Sequence, residues 1–338
     1  MEPSIDMFGH ASISFPHFVF RGPGRARPVC APGVGVLLTA ALLNGFALGS
    51  AGCMRRSGGS LVEDTETSGR ISIAASPDAQ ALVLREASAF RSSYPQAVLE
   101  LRPPESSGQV LGALLGGRAD LAAAGRELED EERNMARQAG IELEGHRVAQ
   151  DAICLVVPEA SPVHNLTVGE ARKIWLGDAR RWSAFGGPDA AIVPVLPPLA
   201  SDLARAFAQR VMDGAEMKAP SEIEASDSAV AAHVARTPGA IGVVPLALAT
   251  APGVRALAIA PLEGLGYSEP DMEAVHTGQY PLTLFFNLYI RTHGPRLAGG
   301  FVTYVASQPG QQLVLESGRV PTAVPLRFVH RSPMLGSH

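Results

Sequence analysis

The sequence predicts an α/β fold with mostly parallel sheets flanked by helices, and two of its features support that prediction. From Ile71 onward, short apolar runs of strand length alternate with longer segments whose apolar residues recur at helical spacing. Strands that alternate with helices indicate βαβ units, because two parallel strands need a crossover connection between them. The chain has 338 residues and 46% apolar composition, so it is long enough to bury a sizeable core.

Three strand–helix pairs are predicted in the first part of this domain. Ser76-Pro77-Asp78 is a typical helix start, since serine caps free amides and proline is tolerated in the first turn. In chain order the predicted elements are a strand at 71–73, a helix at 76–91, a strand at 97–101, a helix at 107–115, a strand at 120–124 and a helix at 130–139.

The next segment contains the most specific local signal in the chain. Thr167 can accept hydrogen bonds from the first helical turn, and Glu170 three residues later completes a capping box. Gly177 then ends the helix. Further strands are predicted at 147–157, 192–195, 243–244 and 281–290, and further helices at 201–212, 226–236, 296–307 and 311–316.

Composition excludes several classes of function. The formal net charge of −5 and the 6% aromatic content give no basic stripe, so no nucleic-acid partner is expected. The sequence has no Walker motif, no metal-ligand spacing and no arguable Ser/His/Asp arrangement. We therefore expect no cofactor, no metal and no catalytic residues. Because the protein as a whole is negatively charged, any binding of an anion would have to depend on local dipoles and hydroxyl groups.

Residues 1–53 are predicted to be an export signal with an N-terminal extension. Three arginines between residues 21 and 27 form a positive flank, and residues 34–48 supply the apolar stretch. Small residues then lead into Cys53, which resembles the lipid-acceptor cysteine of bacterial lipoproteins. A plain signal peptide with a chance cysteine is the alternative. Residues 54–70 are expected to be a flexible tether, and residues 331–338 a disordered tail.

Four later segments contain the most distinctive strings in the chain. They read NLTVGEARKIWLGDARRWSAFGGPD at 165–189, DSAVAAHVARTPGAIGVVPLA at 227–247, GQYPLTLFFNLYI at 278–290 and FVTYVASQPGQQLVLESGRVP at 301–321. In this order they resemble the periplasmic phosphate-binding proteins, which are the substrate-binding components of ABC-type phosphate importers. The resemblance extends from about residue 71 to residue 321.

The resemblance implies a two-lobed, type II periplasmic-binding-protein fold over residues 71–330, with two crossing hinge strands. Lobe 1 would combine residues 68–153 with 249–330, and lobe 2 would be residues 154–248, with the ligand held between them. The implied function is that of an extracytoplasmic solute-binding protein anchored to the membrane as a lipoprotein. Its implied partners are a small anion such as phosphate, ABC permease subunits and the membrane itself.

The same family binds its oxyanion at helix N-termini, where amides lack intrahelical partners and the helix dipole favours negative charge. The matching positions in this sequence, which become the candidate ligand-binding residues, are Ser76, Ser106, Ser107, Gly108, Arg126 and Ser201. Each has an ordinary alternative. The serines can be plain helix caps, and Arg126 can instead pair with Glu127, Glu129 or Glu132 as a solvated surface group.

The last candidate loop departs from the family pattern. Where the family has an arginine followed by Ser-Gly-Thr, residues 196–202 read LPPLASD. Pro197 and Pro198 have no amide to donate, and Asp202, like Asp78 in the first loop, would repel a dianion. These departures favour an alternative function, a membrane-tethered sensor or interaction protein whose degenerate cleft no longer binds phosphate.

Overall fold

The computed structural model describes residues 63–322. The strands are β1 (Gly69–Ala75), β2 (Ala97–Leu101), β3 (Leu121–Ala124), β4 (Leu143–Pro158), β5 (Asn165–Thr167), β6 (Val193–Leu196), β7 (Glu222–Ile223), β8 (Ala240–Pro245), β9 (Val254–Ala256), β10 (Ala258–Ala260), β11 (Thr283–Arg291) and β12 (Val320–Pro321). The helices are α1 (Pro77–Ser93), α2 (Ser107–Leu115), α3 (Asp130–Gln138), α4 (Val168–Leu176), α5 (Asp202–Arg210), α6 (Asp227–Arg236), α7 (Met272–Thr277), α8 (Arg296–Ala306) and α9 (Gln308–Glu316).

The long strand β4 joins two groups of strands. Its first part pairs with β11 and β12, and β11 continues to β3, β1 and β2. Its last part pairs with β8 and β9, and β8 continues to β6 and β7. We call the elements on the first group, with α1, α2, α3, α8 and α9, the first half. Those on the second group, with α4, α5 and α6, are the second half.

Pairing within each half confirms the α/β fold. β1 runs parallel to β2 and β3, and β6 runs parallel to β7 and β8, as βαβ connections require. Alternate residues of β1 face opposite sides of the sheet. Ile73 belongs to the large core that includes α1, whereas Ala74 belongs to a smaller core beneath α2.

The packed domain begins earlier than the sequence predicts. β1 starts at Gly69, whereas the sequence predicts a flexible tether up to residue 70. The Asp64 carboxylate accepts hydrogen bonds from the amides of Arg296 and Leu297 at 2.9 and 3.3 Å, so it caps the start of α8. An acidic residue at a helix start is stabilising, because those amides have no partner within the helix.

Several predicted features lie outside the described residues. They are the export signal with its lipid-acceptor Cys53, the first part of the tether, and the tail at 331–338. Between residues 63 and 322, no helix combines the length and the apolar character that crossing a membrane requires. The division into lobes at residues 153, 154, 248 and 249 stays a prediction.

Candidate functional site

Three loops of the first half meet at the carboxyl ends of β1, β2 and β3. In open α/β sheets this edge is where ligands bind. The loop after β1 presents Ser76, the loop after β2 leads to Ser107 at the start of α2, and the loop after β3 begins with Gly125. Ser76 is completely buried, and its Oγ has no hydrogen-bond partner among the described residues.

The carboxylate of Asp202 occupies the point where two of these loops converge. Asp202 is the first residue of α5 in the second half, and only 3% of it is exposed. Its Oδ2 accepts a hydrogen bond from the Ser107 hydroxyl at 2.8 Å and another from the Gly125 amide at 2.9 Å. A Cβ atom at Gly125 would lie 2.7 Å from this oxygen, so glycine is what permits the approach. These donors therefore bind an anionic oxygen that the protein itself supplies.

A second carboxylate makes the opposite contact across the same cleft. Asp78 lies in the first turn of α1, and its Oδ2 accepts a hydrogen bond from the Leu203 amide of α5 at 3.0 Å. Burial and, second to it, repulsion from Asp202 together raise the pKa of Asp78 to about 6. Each half thus uses a carboxylate to satisfy donors of the other half.

Arg126 pairs with Glu132, the alternative that the sequence left open. Its guanidinium makes a two-pronged contact with the Glu132 carboxylate, at 2.8 and 2.7 Å. The same hydrogen bonds raise the pKa of Arg126. Gly108 lies nearby: a Cβ atom added at this position would be 3.7 Å from Nη2 of Arg126. Most of the positive charge of Arg126 is therefore compensated by Glu132 in the first turn of α3.

Ser106 and Ser201 act as helix caps rather than as free donors. The Ser106 hydroxyl donates to Oε1 of Gln109 at 2.8 Å. The Ser201 hydroxyl accepts from the Ala204 amide at 3.1 Å, which is the ordinary contact of a residue that precedes a helix. Three of the six predicted ligand-binding residues are buried serines, but only Ser76 and Ser107 lie on the converging loops of the first half, whereas Ser201 precedes α5.

An acidic cavity of about 400 Å³ adjoins the Asp202 loop. Its lining includes the carboxylates of Asp78, Asp151 and Asp227, and the guanidinium of Arg319. Burial raises the pKa of Asp151 and of Asp227. Arg319 is 3.3 Å from the Asp151 carboxylate and stacks on Phe286, with its guanidinium carbon 4.3 Å from the ring centre. A dianion would meet net negative charge on this side of the cleft.

A basic cavity of about 440 Å³ lies on the Gly125 side. Four arginines line it, two glutamates lie among them, and both halves contribute to its wall. The arginines are Arg126, Arg133, Arg147 and Arg210. Arg126 is paired with Glu132 and Arg147 with Glu127. The lining still has more arginines than glutamates, and positive charge attracts anions from solution, so this cavity is a more favourable approach to Gly125 than the acidic cavity.

Sequence reasoning missed the role of Asp202 as an acceptor. The pattern identified Asp202 as a charge that would repel a dianion, but not as the partner of Ser107 and Gly125. These residues are 95 and 77 positions away along the chain, so no local spacing encodes the contact. The one available signal was an acid in the first turn of the helix that borders the predicted cleft.

Comparison with known sequences places this chain among proteins of similar architecture. A family described as "PBP superfamily domain" matches residues 62–309. The phosphate-binding protein PstS of Bacillus subtilis (strain 168) is 29% identical over 290 residues, which cover 85% of this chain and 92% of the relative. The phosphate-binding protein PstS of Pseudomonas aeruginosa (strain PAO1) is 24% identical over 271 residues, covering 75% and 83% respectively.

Solved structures share the fold. An ABC-type phosphate transport receptor from Vibrio cholerae superposes with a TM-score of 0.65 at 21% identity, and the match covers 75% of this chain and all of that one. PstS from Borrelia burgdorferi superposes with a TM-score of 0.60 at 18% identity, covering 75% and 98%. At these identities the likeness establishes the architecture and not the ligand.

Proposed function

Because this chain belongs to the PBP superfamily, we propose that it is the solute-binding component of an ABC importer and that it binds phosphate or a related small oxyanion. The observation that carries the proposal is the convergence of the Ser107 hydroxyl and the Gly125 amide on one anionic oxygen. Oriented neutral donors of this kind bind oxyanions without a full positive charge. Ser76 offers a further buried hydroxyl on the neighbouring loop.

The proposed solute takes the place of the Asp202 carboxylate. An oxyanion would approach along the basic cavity and accept hydrogen bonds from Ser107 and Gly125, while α5 withdraws its own carboxylate. The protein would act outside the cytoplasm, tethered by a lipid on Cys53, and would deliver its solute to ABC permease subunits. In this role it binds and releases a solute and catalyses no reaction.

Calorimetric titration of the unit Gly58–His338 tests the proposal, because that unit is compact by itself. Phosphate would be titrated into the protein, with sulfate and molybdate as the comparison anions. We expect saturable phosphate binding with a one-to-one stoichiometry. Absence of heat with all three anions, confirmed by an unchanged melting temperature, would reject oxyanion binding.

A second function is favoured by the occupied state of the donors. Asp202 already satisfies Ser107 and Gly125, Arg126 is paired with Glu132, and Pro197 and Pro198 cannot donate. These contacts suit a membrane-tethered sensor or interaction protein with the same fold and no solute. The titration separates the two functions, since only the solute-binding protein responds to an anion.

A further inference from the structure

A carboxylate of each half accepts hydrogen bonds from donors of the other half across the cleft. Asp202 of α5 accepts from Ser107 and Gly125 of the first half, at 2.8 and 2.9 Å. Asp78 of α1 accepts from the Leu203 amide of the second half at 3.0 Å. The contacts are thus reciprocal, and both lie at the first turns of helices.

Burial makes the Asp202 contact selective for a charged acceptor. Ser107 is 2% exposed and Asp202 is 3% exposed, so water has little access to either group. A buried ionised carboxylate needs hydrogen-bond donors, and buried donors need an acceptor. The contact with Gly125 is also too close for any side chain at that position. The carboxylate and its donors therefore fit one another as an anion fits its binding site.

We propose that Asp202 is an internal anion that occupies the solute's donors and holds the two halves together when no solute is present. Solute binding then requires exchange of one anion for another, and the affinity for the solute is reduced by the stability of the internal contact. For the identity of the solute this inference rests on the proposed function. For the contact between the halves it does not.

Two consequences distinguish an internal anion from a residue that merely repels phosphate. Removing the carboxylate should release the halves from one another even without solute, because Asp202 supplies two of the hydrogen bonds that join them. It should also tighten oxyanion binding, because the donors become free. A purely repulsive residue would produce the second effect without the first.

The experiment measures the distance between the halves in Gly58–His338 by paired spin labels. Ser88→Cys on α1 and Ser183→Cys provide two exposed labelling positions, and the native Cys154 is buried. Ser183 lies in the short 3-10 helix Trp182–Phe185 between α4 and β6, which a hydrogen bond from Trp182 to the Gly239 carbonyl ties to the start of β8 in the second half. We compare the otherwise unsubstituted protein with Asp202→Ala and with the nearly isosteric Asp202→Asn. Asp213→Asn is the matched control, because Asp213 is exposed and belongs to the same half.

Without phosphate, we expect a single short distance between the two spin labels in the otherwise unsubstituted protein and in Asp213→Asn. Asp202→Ala should show a longer and broader distribution, and Asp202→Asn the same change to a smaller extent. Phosphate affinity should rise about tenfold or more in Asp202→Ala, in keeping with the strength of charge-assisted hydrogen bonds. Addition of phosphate should return that variant to the short distance.

Identical distance distributions in the unsubstituted protein and both Asp202 variants would overturn the inference, as would a long distance in the unsubstituted protein. A lengthened distance in Asp202→Ala without phosphate binding would support the internal contact and reject phosphate as the solute. Failure of the inference and failure of the proposed function therefore give different results.

Discussion

At the scale of single residues, adjacent serines have different tasks. Ser107 donates to Asp202 across the cleft, whereas Ser106 donates to Gln109 within its own helix start. Both belonged to the same predicted loop, and the sequence could not separate them. The orientation of a hydroxyl depends on which partner the fold brings to it, and that partner here is 95 residues away.

In the Asp202→Ala background, where no internal carboxylate competes for the hydroxyl, Ser107→Ala should weaken phosphate binding by about tenfold relative to the Asp202→Ala protein, since one charge-assisted hydrogen bond to the anion is lost. Ser106→Ala is the matched control and should change the affinity by less than about twofold, because its hydroxyl serves the helix cap. Calorimetric titration of both variants checks the difference. Equal affinities in the two variants would show that the anion does not contact Ser107.

Asp78 should make anion binding depend on pH. Its pKa is raised to about 6 by burial, by repulsion from Asp202 and, more weakly, by Asp227, while the Leu203 amide opposes the shift. Arg319 lies close by, since its guanidinium donates to the Asp78 carbonyl at 2.9 Å. As the pH falls through about 6, Asp78 becomes neutral and repels an oxyanion less.

We accordingly expect sulfate or phosphate to bind more tightly near pH 5 than near pH 7.5 in the unsubstituted protein. Asp78→Asn should remove the part of this dependence that belongs to Asp78 and leave the titration of the anion itself. Calorimetry at both pH values measures the two profiles. If the anion affinity changed with pH by the same factor in both proteins, Asp78 would not be the group that causes the change.

At the scale of elements, the sequence predicted best where a helix defines its own ends. Thr167 and Glu170 form the capping box that the spacing indicates, with the Glu170 amide 3.1 Å from Thr167 Oγ1 and the Thr167 amide 2.8 Å from Glu170 Oε2. The short strands β7, β9 and β10 were not predicted. Two- or three-residue strands have too few positions to show a period, so tertiary pairing decides them.

Helix α1 buries an acidic residue on its packed face, which its amphipathic pattern does not predict. Glu86 is 1% exposed on the packed face of the helix, and neither carboxylate oxygen has a hydrogen-bond partner among the described residues. Burial raises the pKa of Glu86 from 4.5 to about 8, with Arg85 opposing the shift. Glu86 therefore stabilises the fold fully below about pH 4.5, and this contribution is lost as the pH rises through about 8.

Glu86→Gln should remove this loss of folding stability at high pH. We expect the free energy of unfolding to rise at pH 9 by about 1 to 3 kcal/mol, the usual penalty of an unsatisfied buried group, and to change little at pH 5. Urea denaturation at both pH values measures the effect. Glu131→Gln on the exposed side of α3 is the control and should leave both values within about 0.5 kcal/mol. A uniform shift at both pH values would exclude ionisation of Glu86 as the cause.

At the scale of the whole molecule, one ion pair connects the crossing strand to distant segments. Asp151 lies in β4 near the point where the strand passes from the first half to the second. Its carboxylate accepts from the amides of Ala152 and Leu246, at 2.8 and 2.9 Å. Arg319, which follows α9, is 3.3 Å away. The α/β alternation predicts most of the strands and helices of this domain, but only the folded chain shows that the Arg319 side chain, after α9, pairs with Asp151 of the crossing strand.

Arg319→Gln should destabilise the protein by about 3 kcal/mol or more, because it leaves the Asp151 carboxylate buried and without its charge partner. Asp151→Asn added to that variant should recover part of the loss, since the unpaired charge is then gone. Arg85→Gln is the control: the Arg85–Glu316 pair is exposed and should be worth less than about 1 kcal/mol. Chemical denaturation of both single variants and of the double variant gives the coupling free energy between Asp151 and Arg319. Strictly additive losses would show that Asp151 and Arg319 do not interact, and β4 would then owe its crossing position to its hydrogen bonds and packing alone.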